Sequence, residues 1–310
     1  MRLAEQLDAV VPRGTRSSAA AGTFDGVHLG HRGMLARVAS EAERRALSPV
    51  AVTFKKQPRE VIAPEKPTRY LSGLDERLSL IREAGAEHLA AVDFDASVRV
   101  LACRDFLAVL REHIGLETLV LGPTARMGSD RLSPPEIARV AASLGVVAVN
   151  TDPVKLTDGT LVSSSAIRDS LASGDVDAAS AMLGRHYALD GVVTHGDRRG
   201  RQMGFPTANL SPEPDRVVPG DGIYATFAVL DGRRHMAATS IGTRPTFGPG
   251  ARTVETYIVD FDRDIYDLPL RVEFVSRLRG EMKFDGVEPL VEQMNRDVEQ
   301  ARSVLAAARR

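Results

Sequence analysis

The hydrophobic pattern of this 310-residue chain changes period near Gly184, and that change divides what it can fold into. Before it, short apolar runs alternate with amphipathic stretches. Ser18–Ala21, Val50–Phe54, Leu89–Asp93, Leu116–Leu121 and Val146–Val149 read as strands. Between them, His31–Arg45 places Met34, Leu35, Val38 and Ala42 on one helical stripe, and Leu74–Ala84, Asp105–Ile114 and Pro134–Leu144 follow as helices. Strands alternating with helices predict an α/β domain built on a parallel sheet. Ser163–Ala172 and Asp175–Leu183 read as two short helices, with Ser163, Ser164 and Asp175 as N-caps. After Gly184 come short β-type runs punctuated by Gly and Pro: Asp190–Thr194, Gly222–Leu230, His235–Thr239, Val254–Phe261 and Leu270–Phe274. They predict a small antiparallel barrel, closed by a helix at Glu288–Ala308. The expected domains are 1–184 and 185–310.

Composition removes several function classes. The net charge is −1, so the basic excess usual in a nucleic-acid binder is missing. Cys103 is the single cysteine, which excludes an intrachain disulfide and a multi-cysteine zinc site and fits a reducing compartment. No stretch approaches the roughly 18 apolar residues of a membrane helix, and Glu5 and Asp8 precede any apolar run, unlike a secretory signal. A soluble cytoplasmic protein with neither a nucleic-acid nor a membrane partner is expected. No Walker-type Gly-x-x-x-x-Gly-Lys-Ser/Thr string and no Gly-x-Ser-x-Gly elbow occurs.

Two segments carry chemistry. In Gly22-Thr-Phe-Asp-Gly-Val-His-Leu-Gly-His31, three glycines let the backbone bend and approach a ligand, at the mouth of a helix whose free N–H groups suit phosphate. His28 and His31 can aim two imidazoles at one phosphate, as nucleotidyl transfer requires. Two solvated histidines in a βα turn remain the plain alternative. In His195-Gly-Asp-Arg-Arg-Gly-Arg-Gln-Met-Gly-Phe-Pro-Thr-Ala-Asn209, Gly196, Gly200 and Gly204 permit a phosphate-facing loop, and Arg198, Arg199 and Arg201 add charge. Pro206 stiffens a turn that sets Thr207 and Asn209, whose oxygens suit Mg²⁺. A basic solvated hairpin loop is the alternative there.

The first segment resembles the signature of the adenylyltransferase module of prokaryotic bifunctional riboflavin kinase/FAD synthetases, within the His-x-Gly-His nucleotidyltransferase superfamily. Val162-Ser-Ser-Ser-Ala-Ile-Arg168 resembles the same family's Ser-Ser-Thr-x-Ile-Arg element. The resemblance implies a Rossmann-like domain in which His28 and His31 are catalytic. Gly22, Phe24, Asp25, Gly30, Ser164, Ser165 and Arg168 would hold the nucleotide. Two stretches depart from the family pattern. Thr53-Phe-Lys-Lys-Gln-Pro58 has Lys56 and Gln57 where the family reads Pro and His. Gly122-Pro-Thr-Ala-Arg-Met-Gly128 has Thr124 for an acid or amide, and Ala125 and Met127 for two aromatics. The phosphate machinery is kept and the acceptor pocket altered.

The second segment resembles the flavokinase module's Gly-x-x-x-Gly-x-x-x-Gly-Phe-Pro-Thr-Ala-Asn signature. Pro219–Tyr224, Ile241–Phe247, Thr253–Ile258 and Leu278–Phe284 resemble further pieces of that module. The resemblance implies a flavokinase-like barrel, with Glu255 as catalytic base and Gly196, Arg201, Gly204 and Thr207 on the nucleotide. It further implies Thr207 and Asn209 on Mg²⁺, and Arg279 (also catalytic) and Phe284 on the flavin, with Glu281 supporting the loop. The implied substrates are riboflavin, FMN and ATP, and the products FMN and then FAD. Two other readings use the same residues: a riboflavin kinase whose first module is inactive or altered in specificity, and a flavin- or nucleotide-binding regulator without turnover. Thr207, Asn209 and Glu255 argue against the regulator, which needs no base.

Overall fold

A computed structural model describes residues 3–65, 68–196, 203–243 and 252–308. The chain divides into two compact units, 1–164 and 165–310.

The first unit is a five-stranded parallel sheet: β1 Ser17–Gly22, β2 Ser48–Phe54, β3 His88–Val92, β4 Leu116–Leu121 and β5 Val147–Asn150, in the order β3-β2-β1-β4-β5. Val50 to Thr53 are all buried, as in a strand covered on both faces. The period of two then sorts the core. Ala19, Val50, Val52, Ala90, Leu119 and Leu121 face one cluster, which includes Phe106, Leu107 and Leu110 of α6 (Cys103–Ile114). Ala20, Ala51, Leu89 and Val120 face the other, with Met34, Leu35 and Val38 of α2 (Leu29–Arg45) and Ile81 of α4 (Leu74–Glu83). Four further helices complete this unit: α1 Leu3–Asp8, α3 Pro58–Ile62, α5 Ala96–Arg99 and α7 Pro134–Ser143. The last opens with Pro134 behind a Ser133/Glu136 capping box.

Strand order reverses between β1 and β4. In open α/β sheets that reversal leaves a crevice at the carboxyl ends of the strands, where ligands bind. The Gly22–His31 segment leaves β1 at this crevice, and Gly122 follows β4 beside it.

α8 (Ser164–Ser173) starts at the last residue of the first unit, and in the second unit the rest of α8 and then α9 (Val176–Leu183) precede a closed antiparallel barrel. Asp175 caps α9 by accepting the Ala178 N–H at 2.9 Å, and Gly184 ends it at φ 69°. The strands are β6 Tyr187–Thr194, β7 Thr207–Pro212, β8 Gly222–Leu230, β9 Arg233–Thr243, β10 Arg252–Ile258 and β11 Pro269–Arg279, in the order β10-β7-β6-β11-β8-β9. The closing helix α10 (Val287–Ala308) lays Ala301 and Leu305 against Ala225, Phe227 and Val275.

One expectation needs correction. Thr207 and Asn209 belong to a strand and not to a turn. The Gly-Phe-Pro sequence does bend the chain, with Gly204 at φ 85°, but the bend ends at Pro206. Pro lacks an N–H and sits just before the ladder begins.

Inside the barrel, Thr226, Thr239 and Thr256 are fully buried and hydrogen-bond in a row, at 2.8 Å and 3.0 Å. Thr239→Val removes the hydroxyl that both neighbours use. Unfolding of the second unit in urea should show a loss of about 1–3 kcal/mol; an unchanged midpoint would show that the row contributes nothing.

Candidate active sites

The first site begins with strained backbone. Phe24, Gly26 and Val27 follow β1 with φ of 48°, 76° and 37°. A left-handed conformation costs a β-branched residue about 1–3 kcal/mol, so surrounding structure must hold it. Asp25, only 2% exposed, does this from the centre of the turn. Its Oδ1 accepts the Leu71 N–H at 3.0 Å and its Oδ2 accepts from Gln57 Nε2 at 3.2 Å. Its backbone carbonyl accepts the Ser164 hydroxyl at 3.0 Å, and the next N–H, of Gly26, donates to Ser72 Oγ at 3.1 Å.

That turn delivers His28 to the N-cap of α2. Its Nδ1 accepts the His31 N–H at 3.3 Å, so any ring proton it carries when neutral is on Nε2. The two imidazoles stack with centroids 3.7 Å apart. Gly30 makes room for this, because a Cβ there would lie 3.1 Å from the His28 ring. Phe24 is buried and meets His31 edge-on at 5.4 Å. Burial first, and the neighbouring His28 second, hold the His31 imidazole well below its ordinary range, so it is neutral at pH 7. Its Nδ1 is buried without a hydrogen-bond partner. Beside Gly30 lies a cavity of about 270 Å³, lined by Gly33, Met34, Arg37, Asn150, Thr151, Asp152 and Val154.

Two further contributors have no role assigned by the motifs. Arg77 is 1% exposed and donates to the carbonyls of Thr23, Phe54 and Lys55 at 3.2, 2.9 and 2.9 Å, tying together the chain ends that leave β1 and β2. The other is Gln57, through Asp25. Both contacts join segments more than 20 residues apart, and no local signal announces them. Of the other departures, Lys56 and Thr124 are exposed, and Met127 and Ala125 pack into the core, while Lys55 beside Lys56 pairs with Asp93 at 2.9 Å. Ser165 is exposed and Arg168 half-buried on the first turns of α8.

The second site is set by ladder register. Glu255 of β10 lies directly opposite Asn209 of β7 on one side and Ser240 of β9 on the other. Thr207 lies opposite Tyr257. Ala208, Leu210, Val254, Thr256 and Ile258 are buried, so Thr207, Asn209 and Glu255 share the barrel's outer face. The Thr253 hydroxyl donates to Glu255 Oε1 at 3.3 Å. Gly196 has a steric role: a Cβ there would lie 2.3 Å from the Asn209 amide nitrogen. Arg279 makes a two-pronged pair with Asp297 of α10, Nε to Oδ1 at 2.9 Å and Nη2 to Oδ2 at 2.6 Å, and its guanidinium lies 6.0 Å from the Phe284 ring centre. Glu281 fills the space above Gly242, which pairs with Thr253. Arg201, with Arg198, Arg199 and Gly200, lies outside the described residues.

The chain matches the family model for FAD synthetase over residues 12–166 and that for riboflavin kinase over 183–305. A bifunctional riboflavin kinase/FMN adenylyltransferase of Bacillus subtilis is 32% identical over 92% of each chain. The Pseudomonas fluorescens protein of the same description is 34% identical over 99% of this chain and 98% of its own. The chain belongs to this bifunctional family. A Streptococcus pneumoniae structure described as a macrolide-efflux protein superposes with a TM-score of 0.87 at 29% identity, over 95% of this chain and 96% of that one. Among the described residues here, no helix is long and apolar enough to cross a membrane. Family membership makes this chain a riboflavin kinase with an FMN adenylyltransferase domain, so each of the two sites has an activity to serve.

Gly196→Ala should push the Asn209 amide out of place and lower FMN formation by about 100-fold, the scale of a 1 Å misplacement; a wild-type rate would show that the amide need not sit there. His31 gives a pH signature. Its folded pKa lies below the ordinary 6.5, so below that pH the unfolded chain binds a proton that the native state refuses. Stability is therefore full above pH 6.5 and falls as the pH drops toward the folded value. Urea unfolding of the first unit from pH 7.5 to 5 should show a flatter profile in His31→Gln than in the wild type.

Proposed function

We propose that the barrel converts riboflavin to FMN and the α/β unit converts FMN to FAD, using separate sets of side chains. The observation that carries this is the β7–β10 register, which puts a carboxylate, an amide and a hydroxyl on one face. At the barrel, Glu255 takes the proton of riboflavin's 5′-hydroxyl as that oxygen attacks the γ-phosphorus of ATP, and ADP leaves. Thr253 orients the carboxylate through its hydrogen bond.

Thr207 and Asn209 fit Mg²⁺ by their chemistry. Both offer neutral oxygens, and no group of three or more His, Cys, Asp or Glu among the described residues could cage a metal. A hard ion that shares its shell with substrate phosphates and water suits such a sparse set. When bound, Mg²⁺ would neutralise charge on the transferred phosphate. Gly196 holds Asn209 in place, Gly204 and Arg201 are assigned to the nucleotide by their family motif, and Arg279 and Phe284 contact the flavin.

At the α/β unit, a phosphate oxygen of FMN attacks the α-phosphorus of ATP and pyrophosphate leaves. His28, His31 and the opening turn of α2 donate hydrogen bonds to the phosphate oxygens, and Ser164, Ser165 and Arg168 are assigned to the nucleotide by their family motif. Gly22, Phe24, Asp25 and Gly30 shape the turn, and the cavity beside Gly30 takes the nucleoside. Ala125 and Met127 lie in the core, so no aromatic from this segment stacks on an acceptor ring. FMN formation should therefore outpace FAD formation. The working modules in this reading are 1–184 and 185–310. A cytoplasmic setting fits the single buried cysteine.

Incubation with riboflavin, ATP and Mg²⁺ should yield FMN first and FAD later, resolved by chromatography. Glu255→Gln should lower FMN formation about 100- to 10,000-fold while riboflavin still binds; undiminished turnover removes Glu255 as the base. His31→Ala should abolish FAD formation from FMN and spare FMN formation. Loss of both activities together would refute separate sites.

A further inference from the structure

Gln57 stands where the family reads histidine, and the function above gives it no task. It lies at the start of α3, 26 residues after His31 in sequence, yet its amide reaches the turn that carries His28. The segment around it is pinned. The Gln57 N–H donates to Tyr70 Oη at 2.9 Å, and that hydroxyl in turn donates to Glu60. The buried Arg77 guanidinium lies 5.8 Å from the Tyr70 ring centre and holds the Phe54 and Lys55 carbonyls just upstream. Gln57 is thus a fixed donor facing a buried carboxylate. That carboxylate sits one residue before Gly26 and Val27, whose left-handed backbone aims the chain at His28.

We propose that Gln57 is a positioning residue for adenylyl transfer: its amide anchors Asp25, and Asp25 fixes the turn that places His28 and His31. The proposal rests on the assignment of FAD formation to this unit. Gln57 touches neither substrate in this reading. Its loss lowers the rate with bound substrates and leaves the affinity for FMN unchanged. A neutral donor is required. A carboxylate of the same shape would face Asp25 across the same gap, and two carboxylates so close cannot both stay ionised without repelling. The Arg77 guanidinium, which interacts with Asp25 and Glu60, opposes protonation of this pair and their mutual repulsion favours it; as the pH falls, one of the two takes up a proton and becomes a donor, so the hydrogen bond returns.

The test uses the full chain with FMN, ATP and Mg²⁺, comparing Gln57→Ala, Gln57→Glu and Gln57→His at pH 8.5 and pH 6. Gln57→Ala should lower kcat for FAD formation about tenfold or more at both values, with KM for FMN within twofold of wild type. Gln57→Glu should match that loss at pH 8.5 and recover most of it, relative to wild type at the same pH, at pH 6. Gln57→His, whose ring N–H can donate to Asp25, should keep wild-type kcat. A raised KM for FMN with unchanged kcat would make Gln57 a substrate contact and overturn the proposal. So would a Gln57→Glu loss that does not vary with pH.

A readout without turnover separates this inference from the assignment beneath it. In protein labelled at histidine, the ring signals of His28 and His31 should move in Gln57→Ala and return in Gln57→His. Unmoved rings refute the positioning role whatever the activity. Moved rings in a wild-type protein that makes no FAD would support the positioning and refute the assignment.

Discussion

A β-ladder leaves no freedom about which residues face one another, and both sites exploit that rigidity. In the barrel, pairing Glu255 with Asn209 places Thr207 and Tyr257 on the same face two residues along. A slip of β10 by one residue would turn Glu255 and Tyr257 inward and bring Thr256 out. The buried row of Thr226, Thr239 and Thr256 guards the register, because a slipped strand could not keep its hydroxyls paired. In the α/β unit the constraint acts at the strand ends. Parallel pairing of β1 with both β2 and β4 brings the Gly22, Thr53 and Gly122 ends to one edge. Arg77 gathers the carbonyls of the β1 and β2 ends with one guanidinium. Such a buried cation fits only where several oxygens meet it.

Much of this was legible in the sequence, because the features that encode it are local. Helix ends declared themselves through Pro134, Asp175 and Gly184, and Leu116–Leu121 and Gly222–Leu230 match their strands end to end. β7 was hidden because Gly204 and Pro206 are strong turn signals, and the ladder starts one residue beyond them. β11 runs past its expected end at Phe274 because its outward residues, Ser276, Arg277 and Arg279 among them, are polar and broke the apolar run used to find it. His28, His31 and Glu255 could be named from motifs. Gln57 showed only as a departure from one, and Arg77 and Asp297 gave no signal: each acts on a partner distant in sequence, and only the fold shows the pairing.

The departures from the family pattern acquire physical content in the same way. Met127 and Ala125 pack into the core cluster that includes Phe106 and Leu107, so the segment after β4 contributes to stability where a stacking surface was the alternative. Gln57 keeps a hydrogen-bond donor at the Asp25 carboxylate. The first change alters what a ligand can touch, and the second preserves what holds the turn. A site can therefore lose acceptor contacts while its phosphate end keeps its shape.

The proposed phosphate end relies on placement more than on charge. His31 is neutral because it is buried beside His28, so in that proposal it offers a directed N–H in place of a fixed cation. The helix N-terminus is likewise a neutral donor, and a net charge of −1 shows that no general cationic field draws anions to this chain. In the barrel, the cation proposed to contact the flavin, Arg279, is already paired with Asp297. Donors of this kind stabilise a transition state only when each is fixed before the substrate arrives, since a neutral dipole loses its effect faster with misalignment than a full charge does. Strain at Val27, the glycines at 30 and 196, and the anchored Asp25 all serve that requirement.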